Sequence, residues 1–89
     1  MKMEFEYDKA KSISNKKKHG VNFEEAQTLW MGDYLIFPAI TKGEPRKMLV
    51  GKIGSKFYSC VFAEKGKRIR IITCRRSRDK EERDYYEKE

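Results

Sequence analysis

Eighty-nine residues allow one domain, 1–89, with a modest core, because 38% of the residues are hydrophobic and 39% charged. A formal net charge of +7 points to an acidic partner: nucleic acid, an acidic protein or a membrane surface. No run approaches the ~18 apolar residues of a membrane span, and the N-terminus has no apolar signal-peptide core, so Cys60 and Cys74 are expected to be reduced thiols of a cytoplasmic protein.

Met3 to Tyr7 alternates apolar and acidic residues, which predicts a short, half-buried strand. Asp8 then offers an N-cap to a basic helix running to about Lys18, with a thin apolar side of Ala10 and Ile13. His19-Gly20 stops it: Gly20 can take the left-handed position after the last turn, and the lysines face the negative end of the helix dipole. A second helix starts at Asn22, which with Glu25 makes a capping box, while Val21 and Ala26 make a hydrophobic staple. Phe23, Ala26, Leu29 and Trp30 line its buried face, and Gly32-Asp33 ends it.

From Asp33 onward the pattern is β. Strands are predicted at Tyr34–Ala39, Arg46–Ile53, Lys56–Glu64 and Arg68–Arg75, with Gly43-Glu44-Pro45 as a loop and Gly54-Ser55 and Lys65-Gly66 as tight turns. These four strands form an antiparallel meander. Arg78 to Glu87 is a closing helix, with charge pairs Arg78–Glu82 and Asp79–Arg83, and Tyr85 or Tyr86 pins it to the sheet. Helices first and strands afterwards make the fold class α+β, with helices on one sheet face and the other face free to bind.

The charge is unevenly placed. Lys9 to His19 carries five lysines and no acid, Lys65 to Arg78 carries seven bases and no acid, and Asp79 to Glu89 has six acids against three bases. The strand Arg68-Ile69-Arg70-Ile71-Ile72-Thr73-Cys74-Arg75-Arg76 mounts guanidinium groups, which hold phosphate in a bidentate fork, on a rigid scaffold. Strict alternation sends Arg68, Arg70, Ile72, Cys74 and Arg76 one way and Ile69, Ile71, Thr73 and Arg75 the other. With the isoleucine face buried, Arg70 and Arg68 are left toward the ligand, and Arg75 joins them only through a bulge.

Metal catalysis finds little support, with one histidine and no acidic cluster on a strand, and no glycine-rich loop suits a nucleotide, so no cofactor is called for. A cysteine nucleophile would need a base, and His19 is far away in sequence. RNA cleavage remains open, because the 2′-hydroxyl is itself the nucleophile and the protein need only move protons and neutralise the phosphorane. Glu64 just before the turn, Arg68 and Arg70 just after it, and Lys18-His19 at a helix end are the candidates. His19 also reads as a helix cap, Glu64 as a turn carboxylate paired with Lys67 or Arg68, and Trp30 with Phe23 as core.

Tyr7-Asp8-Lys9, Lys11, Asn15, Lys18-His19-Gly20-Val21 and Phe23-Glu24-Glu25-Ala26, together with Arg46, Gly51, Glu64 and Arg70-Ile71-Ile72-Thr73-Cys74-Arg75, resemble the signature of the BrnT toxins over nearly the whole chain. The resemblance implies a RelE-like fold and a ribonuclease that arrests translation. It also implies a cognate BrnA-like antitoxin of ribbon-helix-helix type, through which the complex reaches operator DNA. On that basis Arg70, Glu64, His19, Arg75 and Arg83 are the catalytic candidates, and Lys17, Lys18, Lys67, Arg68 and Arg76 the RNA-binding ones. Thr73-Cys74 stands where the family usually has Ser-Ala; the family's closing Glu-Arg-x-x-Tyr fits Glu82-Arg83-Asp84-Tyr85-Tyr86 in pattern, while spacing from Arg75 favours Glu81 and Tyr85, so either Tyr85 or Tyr86 is the family tyrosine. The other readings are a non-enzymatic nucleic-acid-binding module and a degenerate toxin acting only in an autoregulatory complex.

Overall fold

The computed structural model describes residues 4–39, 43 and 45–87; Met3 of the expected first strand, Glu44 of the loop, and Lys88 and Glu89 of the tail lie outside them. Five strands form one sheet in the order β1-β5-β4-β3-β2. They are β1 (Glu4–Glu6), β2 (Tyr34–Ala39), β3 (Arg46–Ile53), β4 (Lys56–Lys65) and β5 (Arg68–Arg76). The last four are antiparallel neighbours in chain order, as the two tight turns require, and β1 adds to the far side of β5 in parallel. Pro38 sits inside β2, which is tolerable because β2 is an edge strand and a missing N–H there breaks no inner ladder.

Helix α1 (Lys9–His19) starts on the Asp8 carboxylate, which accepts from Lys11 N–H, and ends at Gly20 with φ 78°. The second helix differs from the expected single stretch. It is one α-turn, α2 (Phe23–Ala26), continued by a 3-10 helix (Gln27–Met31). Its buried residues Phe23, Ala26 and Leu29 recur every third position. A 3-10 helix stacks i and i+3 on one line, so the tighter winding aims all three at the sheet. Gly51 on β3 permits that approach, since a Cβ there would lie 3.3 Å from Leu29 Cδ2.

The core is one layer between these helices and the sheet. Phe23, Leu29 and Trp30 meet Leu49, Cys60, Phe62, Ile69, Ile71 and Cys74. Trp30 makes edge-on contacts with Phe5 and Phe62 at 5.1 and 5.2 Å, so Trp30 and Phe23 are core rather than a surface for stacking bases. Helix α3 (Asp79–Tyr86) lies on the opposite face, against β2 and β3. Tyr85 packs there on Phe57 at 5.1 Å, while Tyr86 is 68% exposed, so Tyr85 is the tyrosine that pins the helix. The charge pair found on α3 is Lys80–Asp84, at 3.1 Å.

β5 is not regular. Phe62 pairs with Ile71 but its neighbour Val61 pairs with Thr73, which leaves Ile72 as an extra residue in β5. A bulge of this kind inverts the alternation beyond it. Ile69, Ile71 and Cys74 all enter the core, and Thr73 and Arg75 turn to the face that carries Arg68 and Arg70. The strict alternation expected for Cys74, Thr73, Arg75 and Arg76 is therefore overturned, and Arg75 joins Arg70.

The bulge is held by Asn15, which is buried on α1. Its side-chain nitrogen donates to the carbonyls of Val21 and Cys74, both at 2.7 Å, and its oxygen accepts from Cys74 N–H at 3.2 Å. Removing one partner of a buried polar group costs about 1–3 kcal/mol, and Asn15 satisfies three backbone groups. Asn15→Leu is therefore expected to destabilise the chain by about 3 kcal/mol. Urea denaturation measures this, with Lys17→Ala as a surface control that changes little; a comparably small loss for Asn15→Leu would contradict the clamp.

Candidate active site

The free part of the α3-bearing face is a shallow trough, and cross-strand register fixes its floor. Glu6, Arg70 and Ala63 share one rung, Arg46 pairs with Ala39, and carrying the β3–β4 register one step beyond Lys47↔Phe62 sets Arg46 opposite Ala63, so that this rung crosses the sheet. The next runs Thr73, Val61, Met48 and Phe37, and the one after runs Arg75, Ser59, Val50 and Leu35. Helix α3 covers the last of these: Ser59 and Val50 are at most 1% exposed. The first two remain open, with Arg70, Arg46, Val61 and Met48 half-buried.

Ala63 is the small residue between two arginines. Arg70 is its partner on one side, and Arg46 lies opposite it on the other where the β3–β4 register is carried one residue past Lys47, which sets the two about 9.6 Å, or two strand spacings, apart. Guanidinium groups suit phosphate, so the two arginines and the small residue between them are the candidate phosphate cradle. Glu6 brings a carboxylate to 4.0 Å from Arg70 Nε, and one rung further out Arg68 lies 3.8 Å from Glu4 and 3.7 Å from Glu6. These surface pairs are loose, and such ion pairs contribute little to stability, so the guanidinium groups can exchange them for an anion.

The trough is closed on one side by a tight polar joint. Arg75 donates both terminal nitrogens to Glu81 on α3, at 2.9 and 2.7 Å, a bidentate fork. Glu81 also accepts from Ser59 Oγ at 2.7 Å and from Arg78 N–H at 2.8 Å, and Ser59 shares a further 2.8 Å bond with Ser77. Burial alone would raise the Glu81 pKa, but the bonds from Arg75, the Arg78 N–H and Ser59 outweigh it and hold the carboxyl at about 2. The Arg75 guanidinium is correspondingly pushed up by its bonds to Glu81. Arg75 therefore fixes α3 beside the trough.

The other candidates divide by face. Arg68 shares the Arg70 face, one rung out. Glu64 is in phase with Phe62, on the opposite face, and pairs with Lys47 rather than with Lys67 or Arg68. His19 ends α1, within the layer that covers that opposite face, as do Lys17 and Lys18. Arg76 lies over the Tyr58 ring on the same side, at 5.7 Å. Lys67 is exposed in the β4–β5 turn, and Arg83 is exposed on the last turn of α3. The structure thus brings Arg70 together with Arg68 and Arg75, and sets Glu64 and His19 apart from them.

Sequence reasoning missed Arg46 and Glu6 as members of the site. Their strands are distant in sequence, and the usable signal was register alone: Arg46 is in phase with Met48 and Val50, the residues that face α3. Cys60 and Cys74 are unbridged, buried and directly opposite. A hydrogen bond with Cys74, which favours the protonated thiol, and then burial push the Cys60 thiol well up, which keeps it unsuited to nucleophilic attack. Among the described residues no helix is long and apolar enough to cross a membrane.

The Arg75–Glu81 joint makes stability depend on acid. A carboxyl whose folded pKa lies below its ordinary value adds stability above pH 4.5, and this is lost as pH falls toward 2. Wild-type Tm is expected to fall across that window more steeply than that of Glu81→Gln, which has no carboxylate there to protonate. Parallel profiles in a calorimetric pH series would contradict the joint.

A family model described as "Ribonuclease toxin, BrnT, of type II toxin-antitoxin system" matches residues 7–81. The match spans α1, the core helices, the meander and the first turn of α3 up to Glu81. A search of curated proteins gave no match. With the family matched over most of its length, the chain belongs to the BrnT ribonuclease toxins of type II toxin-antitoxin systems.

Proposed function

We propose that the chain cleaves RNA on the Arg70–Ala63–Arg46 rung without a metal ion and so arrests translation. The observation that carries this reading is the pair of arginines flanking a small residue on a rigid sheet. In the reaction the 2′-oxygen attacks the adjacent phosphorus and the bond to the 5′-oxygen breaks. A 2′,3′-cyclic phosphate and a 5′-hydroxyl result. The proton of the 2′-hydroxyl passes to a carboxylate, and the departing 5′-oxygen takes one from an acid or water. Charge accumulates on the phosphorane, where two preorganised guanidinium groups stabilise it more than they do the ground state.

Glu6 is the carboxylate beside the cradle and takes the role of proton acceptor. Arg75 acts through Glu81 by holding α3 at the edge of the trough. Lys17, Lys18, Lys67 and Arg76, with Arg68 nearer the cradle, supply the field that draws a polyanion to the chain. Glu64, His19 and Arg83 have no place in the step. A cognate ribbon-helix-helix antitoxin of BrnA type, meeting the chain in the cytoplasm and carrying the complex to operator DNA, completes the reading. Its basis is the family together with a basic surface that suits an acidic segment.

Induction of the chain alone in a bacterium is expected to stop growth with fragmented RNA; normal growth with intact RNA, from soluble protein, overturns the reading. In vitro, Arg70→Ala and Arg46→Ala should each lower the cleavage rate by about 100-fold or more with the circular dichroism spectrum retained. Glu6→Gln should slow cleavage more than Glu64→Gln or His19→Ala. Cleavage that survives a chelator supports the metal-free step, and cleavage lost on chelation and restored by a divalent ion contradicts it.

A further inference from the structure

A cavity adjoins the arginine rung. Its volume is about 530 Å³, within the range of small-molecule sites, and Ile36, Phe37, Pro38, Pro45, Arg46, Lys47, Ala63 and Glu64 line it. Two of these, Arg46 and Ala63, are also members of the phosphate cradle. The rest are of two kinds. Ile36, Phe37, Pro38 and Pro45 give flat apolar walls, and the Lys47–Glu64 ion pair at the rim gives a donor and an acceptor.

We propose that this cavity is a nucleobase subsite, which takes the base of a nucleotide whose phosphate lies on the Arg70–Arg46 rung. This rests on the ribonuclease reading and adds to it where the substrate's base goes. Three observations favour RNA as the occupant. The cavity opens onto an arginine that also faces the phosphate position, so base and backbone are served by adjoining groups. Its walls are a phenylalanine and two proline rings, surfaces on which the π-face of a base stacks. Its charged members are a paired cation and anion, which suit the polar edge of a base better than a second phosphate. The Lys47–Glu64 pair thereby gains a role at the cavity rim, although Glu64 is out of phase with the arginine rung.

The consequence is a dependence on one base that has nothing to do with bond cleavage. The probe is a fluorescent tetranucleotide of 2′-O-methyl RNA, in which the attacking hydroxyl is blocked, compared with versions carrying an abasic site at each position in turn. Wild-type chain is expected to lose about 10-fold in affinity for one abasic position. Ile36→Trp fills the cavity from an exposed position of an edge strand, where tryptophan is well tolerated, and should bring that ratio near one while leaving the pull of the phosphates intact. Pro45→Ser, in the loop before β3, should reduce the ratio in the same direction. Equal affinity for all abasic versions in wild type, or an undiminished ratio in both variants, overturns the subsite. A failure of the ribonuclease reading shows separately, as wild-type chain that binds with base dependence but leaves unmodified RNA intact.

Discussion

Strand β5 loses its neighbour halfway along. β1 ends at Glu6, opposite Arg70, and beyond that point the outer edge of β5 would present backbone groups to the interior with nothing to meet them. The amide of Asn15 fills the gap, giving Cys74 N–H an acceptor and Cys74 C=O a donor as a strand residue would. Buried backbone groups must be paired, so this one side chain determines where the edge of the sheet closes and where α1 sits on it. It also accommodates the extra residue at Ile72. Without that residue, Thr73 and Arg75 would point into the core and Cys74 toward solvent.

The other side of the sheet follows from that inversion. Once Arg75 points outward it meets Glu81, and the bidentate pair with Ser59 and the Arg78 N–H satisfies the carboxylate where α3 begins. Helix α3 then covers one end of the face and leaves the other open. The arginines of β5 thereby have different tasks. Arg75 is committed to a strong, partly buried pair, whereas the ion pairs of Arg70 and Arg68 with Glu4 and Glu6 at the sheet edge are long. An anion competes with the second kind far more easily than with the first.

Much of this was legible in the residues. Turn chemistry at Gly54-Ser55 and Lys65-Gly66 places the meander and the Asp8 and Asn22 caps place both helix starts, whereas Phe23, Ala26, Leu29 and Trp30 read as the face of a single helix and did not show the 3-10 winding after Ala26. Period-two alternation put Arg70 on the face away from the core, as the structure has it, because the isoleucines before the bulge are in phase with the core. It failed from Thr73 onward because no glycine marks the bulge, whose cause is a side chain 59 positions earlier in sequence. Proximity in sequence misled for Glu64, which is close to Arg70 along the chain but turned to the opposite face by the pleat. Glu6 did not stand out in the sequence, and Arg46 stood out only within the family resemblance, for the converse reason: register, not proximity along the chain, makes them neighbours of Arg70 and Ala63.

The account stands on Arg46 and Arg70, and on the face they share, as the place where phosphate is bound. The most direct measurement is a titration of the isotope-labelled chain with 2′-O-methyl RNA, followed on the guanidinium Nε–H and backbone amide resonances. Shifts at Arg46 and Arg70, with Arg75 unmoved in its pair with Glu81, are the result expected. Shifts confined to Arg76 and to the lysine-rich end of α1, with Arg46 and Arg70 unchanged, would place the RNA on the opposite face and contradict the account.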